Sequence, residues 1–106
     1  MDLSEYDALA GRTVNTKLGE KERLLDSAAG LAEEAGEILA LVRKHAFQSK
    51  PLDDTRLREE LGDALWCLAM TAKHAGTSLE EVAQVNVAKL RARYPDGYRN
   101  RHTETK

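Results

Sequence analysis

Apolar residues recur every three or four positions along most of the chain, which is the period of helices packed on a core. The pattern predicts four helices and no strands, so the predicted fold class is all-α. The first helix begins near Ser4-x-x-Asp7, a typical helix start, and the second runs from about Glu20 to His45. A loop over residues 47–54, containing a serine and a proline, separates the second helix from the third.

The third and fourth helices have clear boundary signals. The third is predicted from about Thr55 to Ala75, with Gly76 as the residue that ends it. Ser78-x-x-Glu81 is a capping box for the fourth helix. That helix ends by Tyr94, because the proline that follows disfavours a helical conformation. Short connections predict antiparallel neighbours in a helical bundle.

Two acidic pairs interrupt the apolar faces of the second and third helices. Glu34 and Glu37 are three residues apart, as are Glu60 and Asp63, so each pair shares one helix face. At about 100° per residue, Glu34 and Glu60 fall inside the apolar arcs. Glu37 and Asp63 lie on the matching shoulders. If the arcs pack together antiparallel, four carboxylates meet, and their repulsion and burial predict a bound cation.

Two simpler interpretations remain open. Each acidic pair could lie on a solvated face, or the carboxylates could form a salt-bridge network with Arg56 and His74. The metal hypothesis has a defined chemistry, because every ligand is an oxygen. Oxygen ligands suit Mg²⁺, or Mn²⁺ as a substitute, better than zinc. Mg²⁺ commonly takes substrate phosphates as its remaining ligands, which predicts phosphoryl transfer or hydrolysis.

The fourth helix carries polar groups suited to phosphate. Asn86, Lys89 and Arg93 follow i, i+3, i+7 spacing and form one stripe. The alternative for this stripe is a solvated basic helix end that complements the helix dipole. Acidic residues concentrate in the first two thirds of the chain and basic residues near its end, an asymmetry that suits an anionic ligand.

Aromatic residues supply candidates for a base pocket. Trp66 and Met70 lie outside the main apolar arc of the third helix, which predicts either a homo-oligomer or a base-stacking role for Trp66. His45 and Phe47 lie where the second helix ends and are further candidates for lining a pocket. The alternative for Phe47 is a hydrophobic plug beneath the following loop.

Composition narrows the class of protein. The chain has 106 residues, enough for one domain. Its formal net charge of −2 does not favour binding to a nucleic-acid polymer. Cys67 is the only cysteine, so no intrachain disulfide forms. The absence of a signal-peptide pattern and of a membrane-length apolar run predicts a cytoplasmic protein.

The acidic motifs resemble a known signature. Glu33-Glu34-x-x-Glu37 followed by Glu60-Leu61-Gly62-Asp63 is similar to the motif of the MazG-like nucleoside triphosphate pyrophosphohydrolases. The segments 86–90 and 93–98 resemble one compact branch of that family. The resemblance covers nearly the whole chain and predicts a domain over residues 6–98, with a polar, flexible tail over 99–106.

The resemblance implies an all-α bundle completed by homodimerisation, as a dimer or a pair of dimers. It also implies Mg²⁺-dependent cleavage of nucleoside triphosphates between the α- and β-phosphates, giving a monophosphate and pyrophosphate. The carried-over metal ligands are Glu34, Glu37, Glu60 and Asp63, with Glu33 as a water-orienting group and Asn86, Lys89 and Arg93 as phosphate contacts.

Three functions follow from the sequence. The leading hypothesis is an enzyme that removes unwanted or excess nucleotides. A second is a biosynthetic pyrophosphatase acting on a phosphoribosyl-nucleotide. The third is a non-catalytic helical module, in which the acidic residues pair with cations and Trp66 serves an interface.

Overall fold

Four α-helices form the chain in the computed structural model, which describes residues 1–97. They are α1 (Leu3–Gly11), α2 (Glu20–Phe47), α3 (Asp54–His74) and α4 (Leu79–Arg93). No strand occurs in this part of the chain, so the all-α prediction is confirmed. The predicted tail over 99–106 lies outside the described residues. None of the four helices has an apolar stretch long enough to cross a membrane.

The N-terminal boundary differs from its prediction. Asp2, rather than Ser4, caps α1: its side chain accepts from the backbone N–H of Glu5 at 2.8 Å, and the Glu5 side chain accepts from the Asp2 N–H at 2.9 Å. This reciprocal capping box satisfies two amide groups that have no partner within the helix. The predicted start at Ser4-x-x-Asp7 is therefore wrong.

The later boundaries follow the predicted signals closely. The second helix continues two residues further than predicted, to Phe47, and Ser49 then adopts a positive φ of 53° in the loop. Gly76 ends the α3 segment with a φ of +86°, a conformation that glycine adopts without strain. The Ser78 side chain accepts from the N–H of Glu81 at 3.1 Å, as its position at the start of α4 predicts.

Helices α2 and α3 form an antiparallel hairpin and approach each other closely at Gly30. A Cβ atom placed on Gly30 would lie only 3.0 Å from the Cys67 sulfur, so glycine permits the close approach. The Ser27 hydroxyl, which is buried, lies 3.0 Å from the Thr71 hydroxyl across the interface. The inner positions, spaced three and four apart, are 24, 27, 31, 34, 38 and 41 on α2 and 57, 60, 64, 67, 71 and 74 on α3.

Helices α1 and α4 pack against α3 and, in residues 1–97, make no contact with α2. A small core joins Ala10, Ala69, Met70 and Leu79. The Trp66 indole N–H donates to the Thr13 hydroxyl at 2.7 Å, which fixes the end of α1 against α3.

Asp7 connects α1 to the start of α4. Its carboxylate accepts from the backbone N–H groups of Leu79 and Glu80, both at 3.3 Å. These are first-turn amides without partners inside α4, and the carboxylate also complements the positive end of the helix dipole. The contact explains how a short first helix orients the last one.

Replacing Asp7 with alanine is expected to lower the free energy of unfolding by about 1 kcal/mol, because it removes the acceptor for the α4 amides. Urea unfolding followed by circular dichroism measures the change. Asp7→Asn keeps one acceptor oxygen and is expected to lose less. An unchanged unfolding midpoint in Asp7→Ala would contradict the capping role.

The hairpin has two different sides. Because its helices are antiparallel, positions one residue after the inner ones fall on one side, and positions one residue before them fall on the other. The first side has a row of exposed apolar residues, which we call the exposed seam. It consists of Leu25, Ala28, Ala32, Ala35, Leu39 and Val42 on α2 and Leu61 and Leu68 on α3. The second, called the carboxylate side, carries Glu33, Glu37, Arg56 and Asp63.

The exposed seam leaves much apolar surface in contact with water. Leu25 is 71% exposed and Leu39 55% exposed. The Cα radius of gyration is 17.3 Å, whereas a compact domain of this length has about 13 Å. A single chain therefore buries only part of the apolar surface that its helices present.

Candidate metal centre

Three carboxylates meet midway along the hairpin. Glu34 and Glu60 occupy inner positions of α2 and α3, and Glu37 lies one turn after Glu34 at the edge of the interface. One oxygen from each residue lies within 4.8 Å of the other two. We call Glu34, Glu37 and Glu60 the carboxylate cluster.

The cluster lacks the partners that would neutralise it. Glu60 is only 8% exposed, and Glu34 is half-buried with its Oε1 atom buried and without a hydrogen-bond partner. In residues 1–97, no arginine or lysine forms an ion pair with these carboxylates, which disfavours the salt-bridge network. A buried acceptor without a donor, on a residue grouped with two further carboxylates, fits a cation held by oxygen ligands.

The three carboxylates shift one another's pKa values, and two of them hold protons more tightly than ordinary glutamates do. A hydrogen bond with Glu37, burial and the charges of Glu37 and Glu34 raise the pKa of Glu60 to about 7. Burial first, then the hydrogen bond and charge of Glu37, raise the pKa of Glu34. Hydrogen bonds from Glu60 and Glu34 lower the pKa of Glu37. Three close carboxylates do not all ionise without a compensating charge.

Asp63 lies beside the cluster rather than within it. Its charge raises the pKa of Glu34, but its oxygens are outside the 4.8 Å group. Asp63 and Glu33 are both exposed on the carboxylate side. The structure thus brings together three of the four carboxylates predicted as metal ligands and places the fourth next to them.

The predicted phosphate contacts lie elsewhere in the single chain. Asn86, Lys89 and Arg93 are exposed on α4, which contacts α1 and α3 but not α2, the helix that carries Glu34. Their role toward phosphate stays a prediction.

The three candidates for a base pocket are separated within one chain. The His45 ring Nδ1 lies 2.8 Å from the Lys50 carbonyl oxygen, so it supports the loop after α2. Phe47 is 81% exposed, so the alternative of a hydrophobic plug is wrong. Trp66 precedes Cys67, whose sulfur lies opposite Gly30. Gly30 is roughly 20 Å or more along α2 from both His45 and Phe47.

Two features of the hairpin were not predicted as parts of the site. A cavity of about 100 Å³ lies between Trp66 and the segment after α1, with Asn15 and Asp26 among its lining residues. Arg56, considered only as a salt-bridge partner, lies one turn before Glu60 and its charge lowers the pKa of Glu37. Its position four residues before Glu60 places it on the same helix face, and this spacing could have identified Arg56 from the sequence.

The pH dependence of stability tests this cluster. Because the pKa of Glu60 is raised from 4.5 to about 7, the folded state binds more protons than the unfolded state in this interval. The Glu60 contribution to the stability of metal-free protein is therefore expected to decrease as pH rises from about 4.5 to 7. Thermal unfolding at several pH values, in wild type and Glu60→Gln, measures it. The same pH dependence in both proteins would contradict the assignment.

Comparison with known protein families identifies the family of the chain. The family model described as the MazG nucleotide pyrophosphohydrolase domain matches residues 23–98. Neither the curated proteins nor the solved structures gave a significant match. The matched region contains α3, α4, nearly all of α2 and the complete carboxylate cluster. It indicates a hydrolase acting on the phosphoric anhydride bonds of nucleotides. The chain therefore belongs to the MazG nucleotide pyrophosphohydrolase family.

Proposed function

We propose that this protein hydrolyses nucleoside or deoxynucleoside triphosphates between the α- and β-phosphates, in a Mg²⁺-dependent reaction that removes unwanted nucleotides. The carboxylate cluster carries the proposal, because Glu34, whose buried Oε1 has no hydrogen-bond partner, has a carboxylate oxygen within 4.8 Å of oxygens of Glu37 and Glu60. That arrangement suits a divalent cation that also binds phosphate oxygens.

The ligands assigned to Mg²⁺, or to Mn²⁺ as a substitute, are Glu34, Glu37 and Glu60, with Asp63 adjacent. A bound ion supplies charge neutralisation and polarisation of phosphate oxygens. The Glu60 carboxyl gives up its proton to become a ligand, which its pKa of about 7 makes feasible near neutral pH.

The remaining carboxylates are suited to handling water. Glu33 and Asp63 are exposed on the carboxylate side, where an oxygen of either residue accepts the proton from a water attacking the α-phosphorus. A bond forms between the water oxygen and the α-phosphorus, and the bond to the α,β-bridging oxygen breaks. The products are a nucleoside monophosphate and pyrophosphate.

The partner proposed for the exposed seam is a second copy of this chain. Three alanines on α2 let two helices approach closely, and leucines flank them at Leu25, Leu39, Leu61 and Leu68. Spacing of three and four residues along α2 is typical of helix pairs in bundles. Two hairpins packed on this seam form a four-helix bundle and leave both carboxylate sides accessible.

The decisive experiment incubates metal-depleted protein with a panel of nucleoside and deoxynucleoside triphosphates, with and without added Mg²⁺. Phosphorus NMR identifies the products, and ¹⁸O-labelled water shows which phosphorus is attacked. Label in the monophosphate together with free pyrophosphate is expected. Orthophosphate as the initial product would contradict the proposed bond. Including a phosphoribosyl-nucleotide in the panel tests the biosynthetic alternative.

A further inference from the structure

The cavity of about 100 Å³ beside Trp66 lies under the segment that connects α1 to α2. Three hydrogen bonds hold this segment over the end of the hairpin. The Arg23 guanidinium donates to the carbonyl oxygens of Thr16 and Leu18, both at 2.8 Å. The Trp66 indole N–H donates to the Thr13 hydroxyl at 2.7 Å. These bonds give the cavity a fixed wall on the side of the connecting segment.

The shape and the apolar walls of the cavity suit one flat ring. Trp66 and Val14 are half-buried and Met70 is fully buried, and all three line the cavity. Protein cavities of about 150 Å³ hold one benzene ring. Asn15 and Asp26, which also line the cavity, are exposed and leave it open to solvent. A single six-membered ring therefore fits this space better than two fused rings.

Several polar groups around the cavity are already engaged. The Arg23 guanidinium donates to two carbonyl oxygens, as described above. The buried Ser27 hydroxyl lies 3.1 Å from a carbonyl oxygen of its own helix and 3.0 Å from the Thr71 hydroxyl. Burial, together with the charges of Arg23 and Lys73, lowers the pKa of His74, so its ring is neutral at neutral pH. None of these groups presents a free positive charge to a ligand.

Asp26 and Asn15 keep hydrogen-bonding capacity for a ligand. In residues 1–97 the Asp26 carboxylate forms no hydrogen bond or ion pair. The Asn15 Oδ1 accepts from the Lys17 backbone N–H at 3.0 Å, so the NH₂ group of Asn15 remains a donor. An ionised carboxylate can only accept, so it pairs with N–H groups and repels carbonyl oxygens. The cavity thus offers a charged acceptor and a neutral donor beside an aromatic ring.

The cavity is within reach of the carboxylate cluster. Asp26 and Trp66 each precede an inner position of the hairpin, so both lie on the carboxylate side. From Asp26 to Glu34 the distance along α2 is about 12 Å, a length that a ribose and its α-phosphate can span. Burial raises the pKa of the Cys67 thiol, which lies between them, and the charges of Glu34 and Asp26 raise it further. One nucleotide can therefore contact the cavity and the cluster together.

We propose that this cavity binds the base of the substrate, and that the Asp26 carboxylate accepts a hydrogen bond from an amino group on a single-ring base. This inference rests on the proposed function, in which the phosphates lie at the cluster. The nucleobase with one ring and an amino group is cytosine. Its 4-amino group donates to Asp26, and its neighbouring N3 accepts from Asn15. Uracil has a carbonyl oxygen in place of the amino group, and the carboxylate repels it.

Binding of nucleoside monophosphates tests the cavity. Isothermal titration calorimetry with Mg²⁺ present measures the Kd values of cytidine, uridine and adenosine monophosphate (CMP, UMP and AMP). The wild type is expected to bind CMP at least about tenfold more tightly than UMP, because a hydrogen bond to a charged group is gained and a repulsion is avoided. AMP is expected to bind more weakly than CMP because its base has two rings. Trp66 is the only tryptophan, so its fluorescence is expected to change when CMP binds.

Asp26→Asn separates recognition of the base from a structural role. The variant is expected to bind CMP at least about tenfold more weakly and UMP at least about threefold more tightly, because an amide can donate to the uracil oxygen. The ratio of kcat/KM for CTP to that for UTP is expected to fall in the same way. A purely structural role would change the affinities for CMP and UMP alike. The matched control is Asp54→Asn, which changes an exposed aspartate at the other end of the hairpin and is expected to bind both monophosphates as wild type does.

The two proposals fail in different ways. Wild-type protein that neither hydrolyses any nucleotide in the panel nor binds a monophosphate contradicts the proposed function and this inference with it. Active wild-type protein that binds UMP or AMP as tightly as CMP overturns the assignment of the cavity alone. Equal changes in CMP and UMP affinity in Asp26→Asn, or no change in either, overturn the role of Asp26.

Discussion

Glu60→Gln is expected to lower kcat/KM at least about 100-fold, because it removes a ligand of the proposed metal, whose role is to stabilise the charge of the transition state. Glu60 is the most buried member of the carboxylate cluster. Glutamine retains the shape of the side chain but not the negative charge that a hard cation requires. Mg²⁺ is expected to stabilise the wild type against thermal unfolding, and the second expected effect of Glu60→Gln is loss of that stabilisation. Steady-state kinetics and thermal unfolding with and without Mg²⁺ measure both effects.

Metal-free Glu60→Gln is expected to be at least as stable as metal-free wild type near pH 8, because the substitution removes repulsion among carboxylates. Loss of activity is then not a folding defect. Glu81→Gln, in which an exposed glutamate of α4 is changed, is the control and is expected to keep full activity. Wild-type kinetics in Glu60→Gln would exclude the cluster as the metal centre.

Leu39→Glu is expected to convert the proposed dimer to a monomer and to lower the melting temperature. Leu39 is 55% exposed in the single chain and lies on the exposed seam. Burying a leucine side chain contributes about 1.5–3 kcal/mol, and a two-fold symmetric dimer buries it twice. An ionised glutamate at the same position opposes association further. Size-exclusion chromatography with light scattering measures the mass of wild type and variant.

The matched control is Leu9→Glu, because Leu9 is 52% exposed but lies on α1, away from the seam. This variant is expected to remain dimeric. A monomeric wild type at micromolar concentration would contradict the proposed interface, as would an unchanged dimer in Leu39→Glu.

Local signals predicted most of the secondary structure. Gly76 ends the α3 segment with a positive φ, which glycine readily adopts, and the Ser78 hydroxyl accepts a hydrogen bond at the start of α4. Both residue types predict these roles. The start of α1 was misplaced because Ser4-x-x-Asp7 and Asp2-x-x-Glu5 are both plausible capping sequences. Only the structure shows that Asp7 is used at the start of α4 instead, a contact between residues more than seventy positions apart.

Helical periodicity also predicted most of the candidate site. It placed Glu34 and Glu60 inside the apolar arcs, and both occupy inner positions of the hairpin. It could not decide whether Asp63, on the shoulder of its arc, would join the cluster, because that depends on how the two helices are rotated. The grouping of His45 and Phe47 with Trp66 had no geometric basis, since periodicity carries no information on distances between helix ends.

The close contact between Gly30 and Cys67 keeps α2 and α3 near each other beside the carboxylate cluster. These residues touch about one helical turn from Glu34, and even one added methyl group at position 30 would lie 3.0 Å from the sulfur. A larger residue there requires a shift of the Cys67 side chain or of the helix backbones, and a backbone shift would separate Glu34 from Glu60. Mg²⁺ needs oxygen ligands at about 2.0–2.1 Å, whereas Ca²⁺ accepts about 2.3–2.6 Å. Close approach of the helices at Gly30 therefore suits the proposed Mg²⁺ better than the larger Ca²⁺.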